Sequence, residues 1–354
     1  MVESVETTGI TAVADSGFRI VPSRAGGPVR TLVAPDTATC DDCLAELGDP
    51  ADRRHRHPFV TCTHCGPRFT IVTGLPYDRA HTTMARFPLC PDCAREYHDP
   101  ADRRFHAQPV ACPSCGPRLR LVTGPGVAPP PGDDPVAGAR SLLAAGAVLA
   151  VKGLGGYHLA CDATRPEAVT LLRRRKARGD KPFALMAACV RDIEHLVHMG
   201  AAERELLTGR VRPVVLMRRR TVVRDAPRTL VPADAVAPGS PDLGIMLPYT
   251  PVHHLLLGTA DAAAPAGAPR LLVMTSGNVS GNPSSRTTRT PWNGWPLWPT
   301  PGSRTTVPSM CRATTPWSAS VTASRWCCAA HAVMRRCRSP CPCRWSPRSP
   351  SAAI

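Results

Sequence analysis

Aromatic residues are scarce in this chain, at 5% of 354 residues, and acidic residues stop altogether at Asp261. No window approaches 18 uninterrupted apolar residues, so no transmembrane helix is expected. The start, MVESVETTGITAVADSGF, is acidic and lacks the apolar core of a secretory signal. A cytoplasmic location follows as the expectation, and with it reduced thiols that are available for metal. The net charge of +16 would ordinarily suggest a polyanionic partner. However, the 71 residues from Ser284 carry ten Arg and no Lys, and +16 less ten leaves only +6 for residues 1–283. The charge is therefore a weak sign of nucleic acid.

What is present is cysteine in a strict pattern. Eight of the sixteen lie between residues 36 and 124, spaced C-x2-C-x18-C-x2-C-x24-C-x2-C-x18-C-x2-C. Two residues between thiolates let both sulfurs of a tight turn face one ion, and two such knuckles complete a tetrahedral site. The frame is duplicated. Residues 40–74 align without a gap on 90–124, a period of 50, and DPADRR, CGPR and VTG recur identically. One zinc ion is expected on Cys40, Cys43, Cys62 and Cys65, and a second on Cys90, Cys93, Cys112 and Cys115. Disulfides or free thiols are the bland alternative, and ligands crossed between the repeats are another. A redox C-x-x-C would occur once, beside a thioredoxin-like strand. His55, His57, His64, His98 and His106 lie nearby, but each quartet is complete without them. The glycine of each CGPR fits a positive φ just past a knuckle. Closed four-thiolate sites leave no open position, so the zinc is expected to be structural.

Residues 1–35 read as a short lead in which VRTLVAP could be a strand; 36–75 and 76–124 are the two modules, and 125–134 (PGVAPPPGDD) a linker. Residues 135–283 alternate apolar strand candidates with helical stretches, which predicts an open, mixed α/β sheet covered by helices. Helices are expected at PVAGARSLLAAGA, EAVTLLRRRK, VRDIEHLVHM and AERELLTG, and after the strand of GIMLPYTPVHHLLLG. Strands are expected at AVLAV, YHLACDA, PFALMAA, PVVLM and RLLVMTS. Thr164-Arg165-Pro166-Glu167 fits a capping box. The whole is thus a multidomain chain with α+β modules before an α/β sheet. Residues 284–354 differ in kind. They hold all six Trp and six Cys among dense Arg, Pro, Ser and Thr, with no apolar period. A disordered tail of frameshifted origin is the reading, and translating the gene's other frames beyond codon 283 tests it.

Three clusters in the α/β region carry chemistry. Lys152-Gly153-Leu154-Gly155-Gly156 follows a strand, and its amides could take phosphate, although it fits neither a Walker A nor G-x-G-x-x-G. A glycine turn between two strands explains it equally well. Lys176-Ala177-Arg178 and Lys181 could clamp phosphate, or they could be a solvated basic helix end. Thr275-Ser276-Gly277-Asn278 ends a strand, where open α/β sheets bind ligands, or is a plain turn.

Taken together, K-x-R followed a hundred residues later by S-x-N resembles the nucleotide-binding signature of YrdC-like domains, and KGLGGYHLACDAT resembles their opening strand–turn–strand. A duplicated cysteine array ahead of such a domain resembles the carbamoyltransferases of [NiFe]-hydrogenase maturation, the HypF family. APDTATCDDC (34–43) fits their finger start, and GFRIVPS (17–23) resembles the last strand of their acylphosphatase-like domain. The resemblance covers residues 17–283 and implies that Lys176 and Arg178 meet phosphate while Ser276 and Asn278 hold nucleotide or acyl group. Lys152, Gly155, Gly156, Lys181 and Thr275 line the nucleotide in the same reading. It implies ATP, carbamoyl phosphate or carbamate, Mg²⁺, and a partner protein with a C-terminal acceptor cysteine. Most of the acylphosphatase-like domain and the large C-terminal domain of the family have no counterpart, so a truncated, frame-disrupted fragment is expected. Two alternatives stand beside it: a YrdC-like module binding double-stranded RNA, and a threonylcarbamoyl-adenylate synthase.

Overall fold

The computed structural model describes residues 9, 33–123, 130–154, 156–220, 230–258, 268–277 and 304–307. The first four residues of the expected lead strand VRTLVAP, half of the linker (125–129), Gly155, Asn278 and nearly all of the tail fall outside them, and residues 33–35 form no strand.

Two short helices open the two halves of the cysteine array, α1 (Asp41–Gly48) and α2 (Pro91–His98). Each starts directly after a cysteine, Cys40 or Cys90, so the first C-x-x-C of each half spans a helix N-terminus. Beyond the array lie α3 (Pro135–Ala144), β1 (Val148–Gly153), β2 (Gly156–Asp162), α4 (Pro166–Lys176) and β3 (Ala184–Ala187). These are followed by α5 (Ala201–Thr208), β4 (Val215–Arg218), β5 (Asp242–Met246), α6 (Pro251–Leu257), β6 (Leu271–Ser276) and β7 (Arg304–Val307). The strands form one mixed sheet in the order β4-β5-β3-β6-β2-β1-β7. The pairs β3/β5 and β1/β7 are parallel, and the other four are antiparallel. One of the two edge strands, β7, comes from the segment in which no apolar period is visible.

The sheet is covered on both faces, and its apolar runs show it. In β6, Leu271 and Val273 join one core cluster while Leu272 and Met274 join another, and β1 splits Val148 and Ala150 from Leu149 and Val151 in the same way. A strand buried on both sides needs apolar residues at successive positions, not alternate ones. Helix α4 covers the first face through Ala168, Val169 and Leu172. Helices α3 and α6 cover the second through Ala139, Leu143, Val252, Leu256 and Leu257. Asp134 caps α3 by accepting from the amides of Val136 and Ala137, a contribution of about 1 kcal/mol.

Two local expectations are corrected. The capping box at Thr164 does not form. Its hydroxyl donates to Asp162 Oδ1 at 2.7 Å, and α4 starts one residue later, with Arg165 as N-cap and Pro166 in the first turn. A proline in the first turn needs no amide partner, so the helix starts there without the threonine. The stretch VRDIEHLVHM is not an α-helix. It makes a single 3₁₀ turn at Val190–Asp192, closed by the Cys189 amide on the Asp192 carboxylate. Its far end pairs instead with the end of β4 and the chain beyond, where Val197 bridges Arg219 and the His198 amide donates to the Arg218 carbonyl.

The first half of the array docks on the α/β part. The amides of Ala38 and Thr39 donate to the carbonyls of Arg210 and Tyr249. Cys43, Leu47, Val60, Cys62 and Cys65 pack with Val136 of α3 and Leu255 of α6. Arg56 pairs with the α3 cap Asp134.

Candidate functional site

The eight array cysteines gather as two quartets, Cys40/Cys43/Cys62/Cys65 and Cys90/Cys93/Cys112/Cys115, each with its four sulfurs within 4.8 Å of one another. The ligands are not crossed between repeats. Three sulfur pairs of the first quartet are 3.6–3.7 Å apart and two of the second are 3.7 Å apart. A tetrahedron with Zn–S bonds of about 2.3 Å has edges of about 3.8 Å, so the residues present fit a zinc ion. None of the described cysteines forms a disulfide. Gly66 has φ +85°, as a knuckle glycine should. Gly116 does not. Its lack of a side chain serves close packing instead, since a Cβ there would lie 2.6 Å from the Ala111 Cβ and 2.9 Å from the Cys112 carbonyl.

The surroundings of the quartets come from the repeated DPADRR segment. Arg53 and Arg54 of the first repeat reach Cys93 and Glu96 of the second, and Arg103 and Arg104 reach Cys43 and Glu46 of the first. Burial alone would raise the Glu96 carboxyl, but bonds from Arg54 and Arg53 outweigh it and hold it at about 2. Glu46 is lowered by Arg104 and Arg103 in the same way. His57 is buried in the same junction. Burial, then the charges of Arg54, Arg104 and Arg53, lower it to about 3, so it stays neutral.

The second site lies at one end of the sheet, on the face that α4 covers. Strands β1 and β2 are a hairpin whose Gly153↔Gly156 register leaves two residues in the turn, so the glycine cluster joins two strands. Lys152 is 1% exposed beside the turn, with its ammonium 5.6 Å from the Tyr157 ring centre. Helix α4 ends when Ala177 takes a left-handed conformation, φ 48°, and Gly179 follows at φ 56°. This reversal points the K-x-R pair at the end of β6. Lys176 is fully buried, and its Nζ donates to the Ser276 carbonyl at 2.7 Å. Burial, then Arg178, lower the Lys176 ammonium to about 8. Arg178 donates to the carbonyls of Lys181 and Pro182 at 3.0 and 2.6 Å and to Thr275 Oγ1 at 3.4 Å, and it lies over the Phe183 ring.

The structure thus brings together Lys176, Arg178, Thr275 and Ser276, while Lys152 stands on β1 against Tyr157, one strand beyond β2. Lys181 is exposed and joins through its carbonyl. Gly156 closes the hairpin, while Gly155 and Asn278 lie outside the described residues. Sequence reasoning named Gly277 without a role of its own and missed Phe183. Gly277 donates its amide to the Tyr157 carbonyl at 2.8 Å, and a Cβ there would stand 2.9 Å from the Tyr157 Cβ. Phe183 is the platform on which Arg173 and Arg178 both lie. For the Arg–Glu junction, the identical DPADRR copies were the available signal.

Comparison with known proteins agrees with this layout. The HypF finger model matches residues 39–72 and 89–122, and the Sua5/YciO/YrdC model, described as telomere recombination, matches 141–290. The carbamoyltransferase HypF of Rhodobacter capsulatus is 52% identical over 285 residues, 80% of this chain and 35% of that protein. The matched residues belong to the HypF family. HypF2 of Cupriavidus necator is 50% identical over 275 residues, 75% of this chain and 33% of its own length. A crystal structure of full-length HypF in a phosphate- and nucleotide-bound form superposes with a TM-score of 0.65 at 44% identity, covering 73% of this chain and 32% of that one. The chain therefore spans about a third of the length of its HypF relatives. No described helix is long and apolar enough to cross a membrane.

Proposed function

We propose that the K-x-R and S-x-N site activates carbamate with ATP, giving carbamoyl adenylate for hydrogenase maturation. The observation that carries this is the 2.7 Å bond from Lys176 Nζ to the Ser276 carbonyl, which joins the two halves of the signature across a hundred residues of chain. It supports a site with two fixed cations at a strand end, where anions and nucleotides bind in open sheets.

In this reading a carbamate oxygen attacks the α-phosphorus of ATP. The new O–P bond forms as the bond to the β-bridging oxygen breaks, and pyrophosphate leaves with its electron pair. Arg178 presents a guanidinium already oriented by three oxygens, and Lys176 a buried ammonium oriented by a carbonyl. Charges fixed before reaction stabilise the developing phosphate charge without reorganisation. Thr275 and Ser276 border the same spot, and Asn278 is assigned to the nucleotide by the signature alone. Mg²⁺ would neutralise the phosphates; no ligand for it is assigned. Zinc, held by the two cysteine quartets, would supply scaffold and no chemistry, since four thiolates leave no position for substrate. Carbamoyl phosphate as the source of carbamate, a C-terminal cysteine of a maturation partner as acceptor, and a cytoplasmic setting belong to the same proposal.

ATP binding by the full chain tests the site. Micromolar-range binding that weakens at least tenfold in Lys176→Ala and in Arg178→Ala is expected, because a charge-assisted hydrogen bond contributes about 1.5–3 kcal/mol. Equal affinity in the wild type and both variants refutes the assignment.

A further inference from the structure

The two cysteine quartets are separate in their ligands but exchange what surrounds the ligands. Arg53 donates to Cys93 Sγ at 3.5 and 3.6 Å, and Arg54 adds a third bond to the same sulfur at 3.5 Å. Arg54 Nε also donates to the carbonyl of Ala111 at 3.0 Å, the residue before Cys112. The mirror set is present. Arg103 donates twice to Cys43 Sγ at 3.4 Å, and Arg104 Nε donates to the carbonyl of Thr61, before Cys62, at 3.2 Å. Both knuckles of each quartet are therefore held by the arginine pair of the other half. Glu96 and Glu46 fix the two forks. Arg54 and Arg104 are 2% and 3% exposed, so these are interior contacts.

The arginine pairs depend in turn on their own metal-bearing helices. The 49–57 loop that carries Arg53 and Arg54 leaves the end of α1 and is tied back to it by the Arg56 amide on the Leu47 carbonyl. The His106 amide does the same to Tyr97 of α2. Cys40 and Cys43 begin α1, so an ion at the first quartet orders the helix that places the arginines of the second. Charge points the same way. Four thiolates around a divalent ion leave a net charge of about −2, which a pair of guanidiniums offsets in part even with its glutamate counted.

We propose that the two quartets take up metal as a coupled pair, each site's affinity depending on the other half through the Arg53–Arg54 and Arg103–Arg104 forks. Coupling of this kind is reciprocal: whatever the first site does to the second, the second does to the first. The proposal concerns the scaffold and stands or falls independently of the nucleotide site.

The test uses the full chain with Zn²⁺, and Co²⁺ as spectroscopic probe, titrated against chelators of graded strength. In Cys40→Ser/Cys43→Ser the surviving second site should bind at least tenfold more weakly than in the wild type, and in Cys90→Ser/Cys93→Ser the first should weaken equally. Contacts around metal ligands carry effects of that size. Arg53→Gln/Arg54→Gln should weaken the second site at least tenfold with all eight cysteines intact. Lysines at both positions keep the charge but lose the fork, so they should restore only part of the affinity. Arg95→Gln, on an exposed pair with Asp92 in α2, is the control and should leave both sites within twofold. ATP binding and far-UV circular dichroism of the α/β part report folding. Surviving sites of unchanged affinity in the cysteine variants overturn the proposal, and so does an Arg95→Gln effect as large as that of the arginine pair.

Discussion

Gly277→Ala probes the junction on which the nucleotide site rests. Gly277 follows β6 directly, and its amide donates to the Tyr157 carbonyl at 2.8 Å. An added Cβ would lie 2.9 Å from the Tyr157 Cβ and 3.1 Å from the Tyr157 carbonyl oxygen. The first separation is about 1 Å inside normal carbon–carbon contact. Both neighbours belong to strand β2 in the middle of the sheet, so neither can rotate away as a flexible side chain would. Overpacking of this kind costs about 1–3 kcal/mol. The relief is a shift of the β6 end away from β2, and that end carries the Ser276 carbonyl and Thr275 hydroxyl that orient Lys176 and Arg178. Two readouts follow. Urea unfolding of the α/β part should show a lower midpoint with unchanged slope, and calorimetric titration should show weakened ATP binding. Wild-type stability together with wild-type affinity in Gly277→Ala would refute both the packing argument and the placement of the site.

Further outcomes follow from the same structure. Lys176 loses its proton at about 8, below the usual lysine value, so ATP affinity should fall as pH rises through 8. That component should be missing from the pH profile of Lys176→Met. His57 is held near 3, while an unfolded histidine takes a proton near 6.5, so the unfolded state binds more protons between those values. Stability should therefore drop as pH falls from 6.5 toward 3, by about 1.4 kcal/mol per unit within that window, and His57→Gln should flatten the dependence in denaturant titrations. Leu172, fully buried where α4 meets the sheet, should cost about 2–5 kcal/mol on truncation to alanine. Protein prepared without chelator should carry about two Zn per chain, and stripping them should unfold residues 33–123, because such modules have little core of their own.

Much of this was legible because it is local. The quartets followed from C-x-x-C spacing, since two residues between thiolates and a duplicated frame admit few geometries. Strands β1, β3 and β6 showed as unbroken apolar runs because both faces of the sheet are covered. The failures are long-range. VRDIEHLVHM reads as a helix, yet its far end pairs through the backbone with residues 218–220, about twenty positions on, and only a single turn is left. The crossed arginine forks could not be read from spacing, although the identical DPADRR copies were visible. The role of Gly277 depends on Tyr157 lying against it, a contact that spans 120 residues and leaves no mark in either local pattern.

The central claim is that the Lys176–Ser276 site makes an adenylate, and ATP–pyrophosphate exchange tests it most directly. The chain should incorporate labelled pyrophosphate into ATP only when carbamate is supplied, and Lys176→Ala should abolish the exchange. Exchange that needs threonine and bicarbonate instead, or that persists unchanged in Lys176→Ala, would contradict the account.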